Sequence, residues 1–167
     1  MTPISVFDYA EQIGKALPRG ILLNTCGEKF NSMVIGWGHL GFIWGLPTFT
    51  VYVRQSRYTK PQLDATGEFS LSVPAGDGLL SPEIMRVFGS QSGRDVNKAD
   101  FVTLAPGRTI RTPAIVEYPL TLECRVLYRQ DQAPETLPQA LRDRYYGGGA
   151  EDFHTAYIAE IADAYIL

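Results

Sequence analysis

Gly36-Trp37-Gly38-His39-Leu40-Gly41, continued by Phe42-Ile43-Trp44-Gly45-Leu46-Pro47, is the stretch that decides the fold of this chain. Its first half spells G-x-G-x-x-G, a dinucleotide fingerprint that works only between a strand and a helix whose N-terminus holds a pyrophosphate. Met33-Val34-Ile35 supplies the strand, but Gly45 and Pro47 break the run that follows and deny it a helix. Roughly 20 residues on, where a ribose-binding acid belongs, the chain reads Arg54-Gln55-Ser56-Arg57-Tyr58-Thr59. Cations and hydroxyls there suit a phosphate. The motif is therefore a glycine-rich strand followed by an anion-holding turn, on a β scaffold.

The pattern around it agrees. Thr48–Val53 alternates β-branched and aromatic residues, and Glu68–Val73 alternates cleanly before Pro74 stops it. Gly20–Thr25, Phe30–Trp37, Leu120–Tyr128 and Phe153–Ile166 also predict strands. Helices are few and short. One starts at Ser5 with a capping box to Asp8 and is bounded by Gly14 and Pro18. A second is capped by Thr59 and ended by Gly67. A third opens at Ser81-Pro82 and runs to about Phe88, and a fourth covers Glu135 to Tyr145. Gly89–Asn97 reads as polar and irregular. A parallel sheet needs longer, regularly alternating crossover helices. A mainly β chain with an antiparallel barrel and short flanking helices fits better, because closure removes exposed edges.

With 167 residues, 45% hydrophobic and 20% charged, the chain suits a single domain, 1–167. A net charge of -3 gives no field for nucleic acid or an anionic membrane. The N-terminus has no signal-peptide pattern and no run is long enough for a membrane span, so a cytoplasmic protein is expected. Cys26 and Cys124 read as separate reduced thiols, and with His39 and His154 the only histidines, no metal-ligand spacing arises.

Three clusters carry candidate chemistry. Ser56, Arg57 and Thr59 offer hydroxyls, a guanidinium and a helix start to a phosphate. Ser32, Gly36 and Gly38 allow close backbone approach to a flat ring, with Asn31 and Ser32 as side-chain donors and Met33 or Trp37 as a wall. Ser92-Gly93-Arg94-Asp95, with Lys98, is a third polar group. Each has an ordinary structural alternative: a solvated turn, a barrel corner, a surface loop. Together they point to flavin mononucleotide (FMN).

In this order the clusters resemble the flavin reductase-like family of the FMN-binding split barrel, including flavoredoxin. The carrying stretches are Asn31–Trp37, Pro47–Val53, Ser56–Thr59, Gly67–Pro74, Ser92–Asp95 with Lys98, Leu122–Val126, and His154 before Ile158–Ile161. The resemblance implies a split barrel of six or seven antiparallel strands, working as a homodimer with FMN near the subunit interface. It implies that Asn31, Ser32, Met33, Val34, Gly36 and Trp37 line the isoalloxazine. Ser56, Arg57 and Thr59 would hold the phosphate; Ser92, Arg94 and Lys98 would approach from a neighbouring loop. His154 would stand near the flavin edge as the candidate catalytic residue. Two departures are visible: Ala99 follows Lys98 where the family has an aromatic, and Ala159 replaces a strand glycine, which predicts crowding.

The expected function is an FMN-dependent redox protein, either an NAD(P)H-dependent flavin reductase or a flavoredoxin-like electron carrier. NADH or NADPH would be a transient co-substrate, and a redox protein or an oxygenase a partner. The alternative is a non-catalytic flavin or small-ligand barrel. An oligonucleotide-binding barrel is disfavoured by the acidic balance, and pyridoxamine phosphate oxidation fits the motif order less well.

Overall fold

The strands alternate because one face of each is buried in a common interior. In a computed structural model, which describes residues 1–76, 78–147 and 152–167, Ile21 and Leu23, Phe49, Val51 and Val53, Phe69, Leu71 and Val73, and Leu120, Leu122 and Cys124 point into one core. These lie on β2 (Ile21–Cys26), β5 (Leu46–Arg54), β6 (Glu68–Val73) and β9 (Leu120–Asp131). The remaining strands are β1 (Thr2–Pro3), β3 (Phe30–Ile35), β4 (Gly38–Ile43), β7 (Leu104–Ala105), β8 (Ala114–Ile115) and β10 (His154–Ile166). All ladders are antiparallel, and the main sheet runs β3-β2-β6-β9-β10-β5-β4.

That order explains the split. The first and last strands of the path, β3 and β4, are consecutive in the chain and joined only by Gly36-Trp37, yet they do not pair. The sheet curls round the core and stays open at this seam, the architecture of a split barrel. Gly38 sits beyond the seam because a Cβ there would stand 2.7 Å from the Thr50 carbonyl oxygen.

The second layer is helical. Helix α3 (Pro82–Ser90) buries Ile84, Val87 and Phe88 against Leu22 and Phe30 on the outer face of the sheet. Each such side chain contributes about 1.5–3 kcal/mol. Beside it, Asn24 binds the hydroxyls of Ser32, Ser70 and Ser72, and Ser70 donates to the Pro113 carbonyl. This buried polar seam fixes the loop before β8.

Several expected boundaries move. Helix α1 is Ala10–Ala16, preceded by a 3-10 turn at Val6–Tyr9, and Ser5 makes no side-chain cap. Gly14 lies inside α1, because burial of Ile13 and Ala16 outweighs the roughly 1 kcal/mol a helical glycine costs. Thr59 is the first residue of α2 (Thr59–Thr66), not its cap; Tyr58 holds that position. Ser81 does cap α3, accepting the Ile84 amide at 3.2 Å, and α3 continues through Gly89. Helix α4 is only Gln139–Tyr146, since Pro138 delays its start. The strand β4 was hidden by its glycines; it folds back on β5 through a tight turn at Trp44 and Gly45, both with positive φ. Ala159 is fully buried, and the register of β10 against β9 shifts between Ile158 and Ala159.

Candidate functional site

Because β3 ends the sheet, one of its edges has no strand partner among the described residues, and alternate backbone N–H and C=O groups of β3 face outward there. The turn from β5 into α2 and the loop after α3 stand over that edge. Between them lies a cavity of about 170 Å³ lined by residues 31–34, 56–59 and 88–94. A second, of about 180 Å³, is lined by residues 33–37 with Tyr52, Arg54, Arg57 and His154. Met33, Val34 and Arg57 line both, so the two form one crevice at the seam. Asn31, Ser32, Met33, Val34, Gly36, Trp37, Ser56, Arg57, Thr59, Ser92, Arg94 and His154 all border it.

Lys98 does not. Its side chain is buried, and its ammonium donates to the Val87 and Gln91 carbonyls at 2.6 and 2.9 Å, over the ring of Phe88. It closes the C-terminal end of α3, and burial pulls its pKa down to about 8. The expected approach of Lys98 to a ligand gives way to this support of the helix beneath the crevice loop.

Two other expected donors point inward. Asn31 Nδ2 donates to Thr59 Oγ1 at 2.9 Å, and Ser32 Oγ donates to Asn24 Oδ1 at 2.7 Å. Both side chains are buried and committed, so these positions offer the crevice their backbone. Thr59 accepts from Asn31, and its own hydroxyl proton has no partner among the described residues. Ser56 gives its amide (2.9 Å) and hydroxyl (2.6 Å) to the Asp152 carboxylate. Burial alone would raise the Asp152 pKa, but these two bonds, with Arg54 and Arg57, hold it below its ordinary value.

The cations cluster at this end. The Arg57 side chain is exposed and makes no hydrogen bond or ion pair among the described residues. The Arg94 guanidinium lies 5.2 Å from the Tyr58 ring centre and reaches the Ser56 carbonyl at 3.4 Å, while Lys29 approaches the same ring at 5.7 Å. Gly93 is required by packing: a Cβ would fall 2.0 Å from Asn31 Oδ1. At Gly36 the nearest atom to a Cβ is the Leu17 carbonyl oxygen at 3.6 Å, so the protein itself asks for no glycine there.

The other end is aromatic. The Trp37 ring, 42% exposed, packs 4.9 Å from His154 and edge-on to Tyr145 at 5.2 Å. His154 Nδ1 meets Tyr146 Oη at 2.8 Å. Burial, with Arg54 and Arg57 nearby, pushes the His154 pKa down to about 4 against the opposing pull of Asp152, so the ring is neutral at pH 7. Arg54 ties this wall together, donating to the Asp152 and Tyr145 carbonyls and lying over Tyr146. Asp152, Tyr146 and Gln132 also belong to this wall and carry no sequence signal of it. Only their closeness to His154 or Arg54 in space identifies them, and no motif marks that.

The crevice runs beside the open edge of β3, with Arg57 and Arg94 at one end and Trp37 and His154 at the other. Comparison with known proteins identifies the family and the fold. Residues 14–166 match the family model described as "Flavin reductase like domain", and the chain belongs to that family. Flavoredoxin from Methanosarcina acetivorans is 25% identical, with a TM-score of 0.65 over 89% of this chain and 68% of that one. The NADH:FAD oxidoreductase SgcE6 of Streptomyces globisporus is 17% identical, with a TM-score of 0.66 over 100% of this chain and 87% of that one. Flavoredoxin of Desulfovibrio vulgaris (Miyazaki F), 21% identical at a TM-score of 0.64, covers 89% and 69%. The last two speak for the fold alone.

Proposed function

We propose that this member of the flavin reductase-like family binds FMN in the seam crevice and acts in electron transfer, as an NAD(P)H-dependent flavin reductase or a flavoredoxin-like carrier. One observation carries the reading: a strand edge unpaired among the described residues and two guanidinium groups, those of Arg57 and Arg94, border a single continuous crevice. A bound flavin supplies the redox chemistry that no side chain here offers. The residues supply placement. Backbone groups of residues 31–34 meet the polar edge of a ring, Met33 and Trp37 pack against its apolar surface, and Arg57, Arg94 and the Thr59 hydroxyl hold a phosphate. No strong nicotinamide motif is needed, because the aromatic end is open enough for transient docking.

The commitment of Ser56 to Asp152 favours an exchangeable flavin over a permanently held one, since a phosphate competes with that carboxylate for the same donors. The reading includes a homodimer. Exposed Phe42, Ile43 and Trp44 on the β4–β5 hairpin, with Phe7 beside Phe42, offer it an apolar surface. The test is anaerobic mixing of the FMN-loaded protein with NADH and, separately, NADPH. Bleaching of the yellow flavin identifies a reductase, and a bound flavin unreactive with both leaves the carrier or a purely binding role. Failure to bind FMN at all overturns the proposal.

A further inference from the structure

At the aromatic end of the crevice, three side chains from three elements form one hydrogen-bonded line: Gln132 after β9, Tyr146 at the end of α4, and His154 at the start of β10. The direction of every proton in it follows from valence. The His154 backbone N–H lies 3.0 Å from Gln132 Oε1, and an N–H only donates, so that atom of the amide is the oxygen. Tyr146 Oη is 3.0 Å from the same oxygen and must therefore donate to it. A phenol has one proton. With that proton spent on Gln132, Tyr146 Oη faces His154 Nδ1, 2.8 Å away, with lone pairs only, and Nδ1 must carry the hydrogen.

The imidazole is neutral at pH 7, so its other nitrogen is bare. Nε2 has no partner among the described residues, and His154 lines the crevice beside Trp37. The line is held rigidly. The Tyr146 ring stacks on Phe153 at 4.6 Å with an interplanar angle of 25°, the Arg54 guanidinium lies 5.0 Å from its centre, and Trp37 packs against the His154 ring.

We propose that Tyr146 and Gln132 are positioning residues that lock His154 as the Nδ1–H tautomer and present Nε2 to the crevice as a fixed hydrogen-bond acceptor for an N–H group of the bound redox molecule. This rests on the proposed redox use of the crevice for the ligand, while the tautomer stands on the protein alone. Two donors have the required chemistry: the ring N–H of a flavin and the carboxamide NH2 of a nicotinamide. Neither a protonated imidazole nor the opposite tautomer accepts from them, so the line acts as a selector.

The chain has only two histidines, His39 and His154, which makes the test direct. Nitrogen-15 shifts of the imidazoles are recorded at pH 7 without ligand, with His39→Gln assigning the signals. The expected wild-type pattern for His154 is a protonated Nδ1 and an unprotonated Nε2. Gln132→Met leaves the Tyr146 ring in place but frees its hydroxyl to donate to Nδ1 as well as to accept from it, so the expected pattern loses its Nδ1–H preference and the two shifts move toward one another. Tyr146→Phe keeps the stacking and removes the acceptor, so the two shifts move toward one another. A wild-type Nε2–H tautomer, or variants with the wild-type pattern, overturns the proposal. A merely packing role for Tyr146 predicts that unchanged pattern.

The ligand arm uses the same variants. A Kd for FMN raised about fivefold or more assigns the acceptor to the flavin. A KM for NADH or NADPH raised by that factor, with kcat and the FMN Kd unchanged, assigns it to the nicotinamide. Altered shifts with neither constant changed overturn the selector role. Loss of FMN binding by the wild type itself sinks the redox reading and leaves the tautomer result standing.

Discussion

Replacing Arg57 by Ala is the perturbation that isolates the anion-holding end of the crevice. Arg57 borders both cavities, and its removal breaks no hydrogen bond or ion pair among the described residues. A hydrogen bond to a charged group is worth about 1.5–3 kcal/mol, and solvent screening at an exposed side chain favours the lower end of that range. About 1.5 kcal/mol corresponds to roughly tenfold in Kd. Arg57→Ala should therefore weaken FMN binding about tenfold, measured by quenching of flavin fluorescence, while the thermal midpoint of the free protein stays within about a degree or two of wild type. Arg57→Lys keeps the charge and loses the planar fork, so its Kd should fall between the two. Raising the salt concentration should weaken wild-type binding more than binding by Arg57→Ala. A folded Arg57→Ala protein with wild-type affinity would refute the assignment of this end to a phosphate.

Three further outcomes follow from particular contacts. Gly93→Ala drives a methyl into Asn31 and Tyr58 and should lower stability by about 1–3 kcal/mol as well as flavin affinity, whereas Gly36→Ala meets only one atom at ordinary contact distance and should weaken flavin binding with little change in the denaturation midpoint. Asp152→Asn removes a carboxylate beside the phosphate position and loosens its hold on Ser56; with unit charges a few ångströms apart interacting by about 1 kcal/mol in water, FMN affinity should rise about fivefold, read by the same titration. Glu123 is fully buried and accepts the amides of Arg108, Thr109 and Ile110 and the hydroxyls of Thr109 and Tyr165. Burial alone would raise its pKa, but these bonds overcome that and leave it lowered, so its stabilisation is present above the unfolded value near about 4.3 and is lost as pH falls through the lower folded value. Glu123→Gln should cost about 2–4 kcal/mol in urea titrations at pH 7 and show a flatter acid limb; equal acid sensitivity in both proteins would count against this.

Much of the fold was legible because two-residue alternation reports a buried face directly. Thr48–Val53, Glu68–Val73 and Leu120–Cys124 each show it, and each is a barrel strand. β4 was illegible for a physical reason: as an edge strand with exposed Phe42 and Ile43 it has no consistent inner face, and its glycines imitate a different motif. Asn31 and Ser32 were expected to offer side-chain donors and do border the crevice, but sequence cannot tell a side chain facing the crevice from one bonded to Thr59 or Asn24 across the sheet. Lys98 was expected to border the crevice for a similar reason, and it lies beneath it. A lysine in a polar loop looks solvent-directed until the carbonyls at the end of α3 are seen to receive it. Tyr146 and Gln132 lie 8 and 22 residues from His154, with nothing in their spacing to connect them.

The most direct measurement is a crystal structure of the protein with FMN. The account predicts the isoalloxazine along the outer edge of β3 between Asn31 and Trp37, with the phosphate between Arg57 and Arg94. A flavin seated away from that seam, with the crevice holding only solvent at saturating FMN, would contradict it.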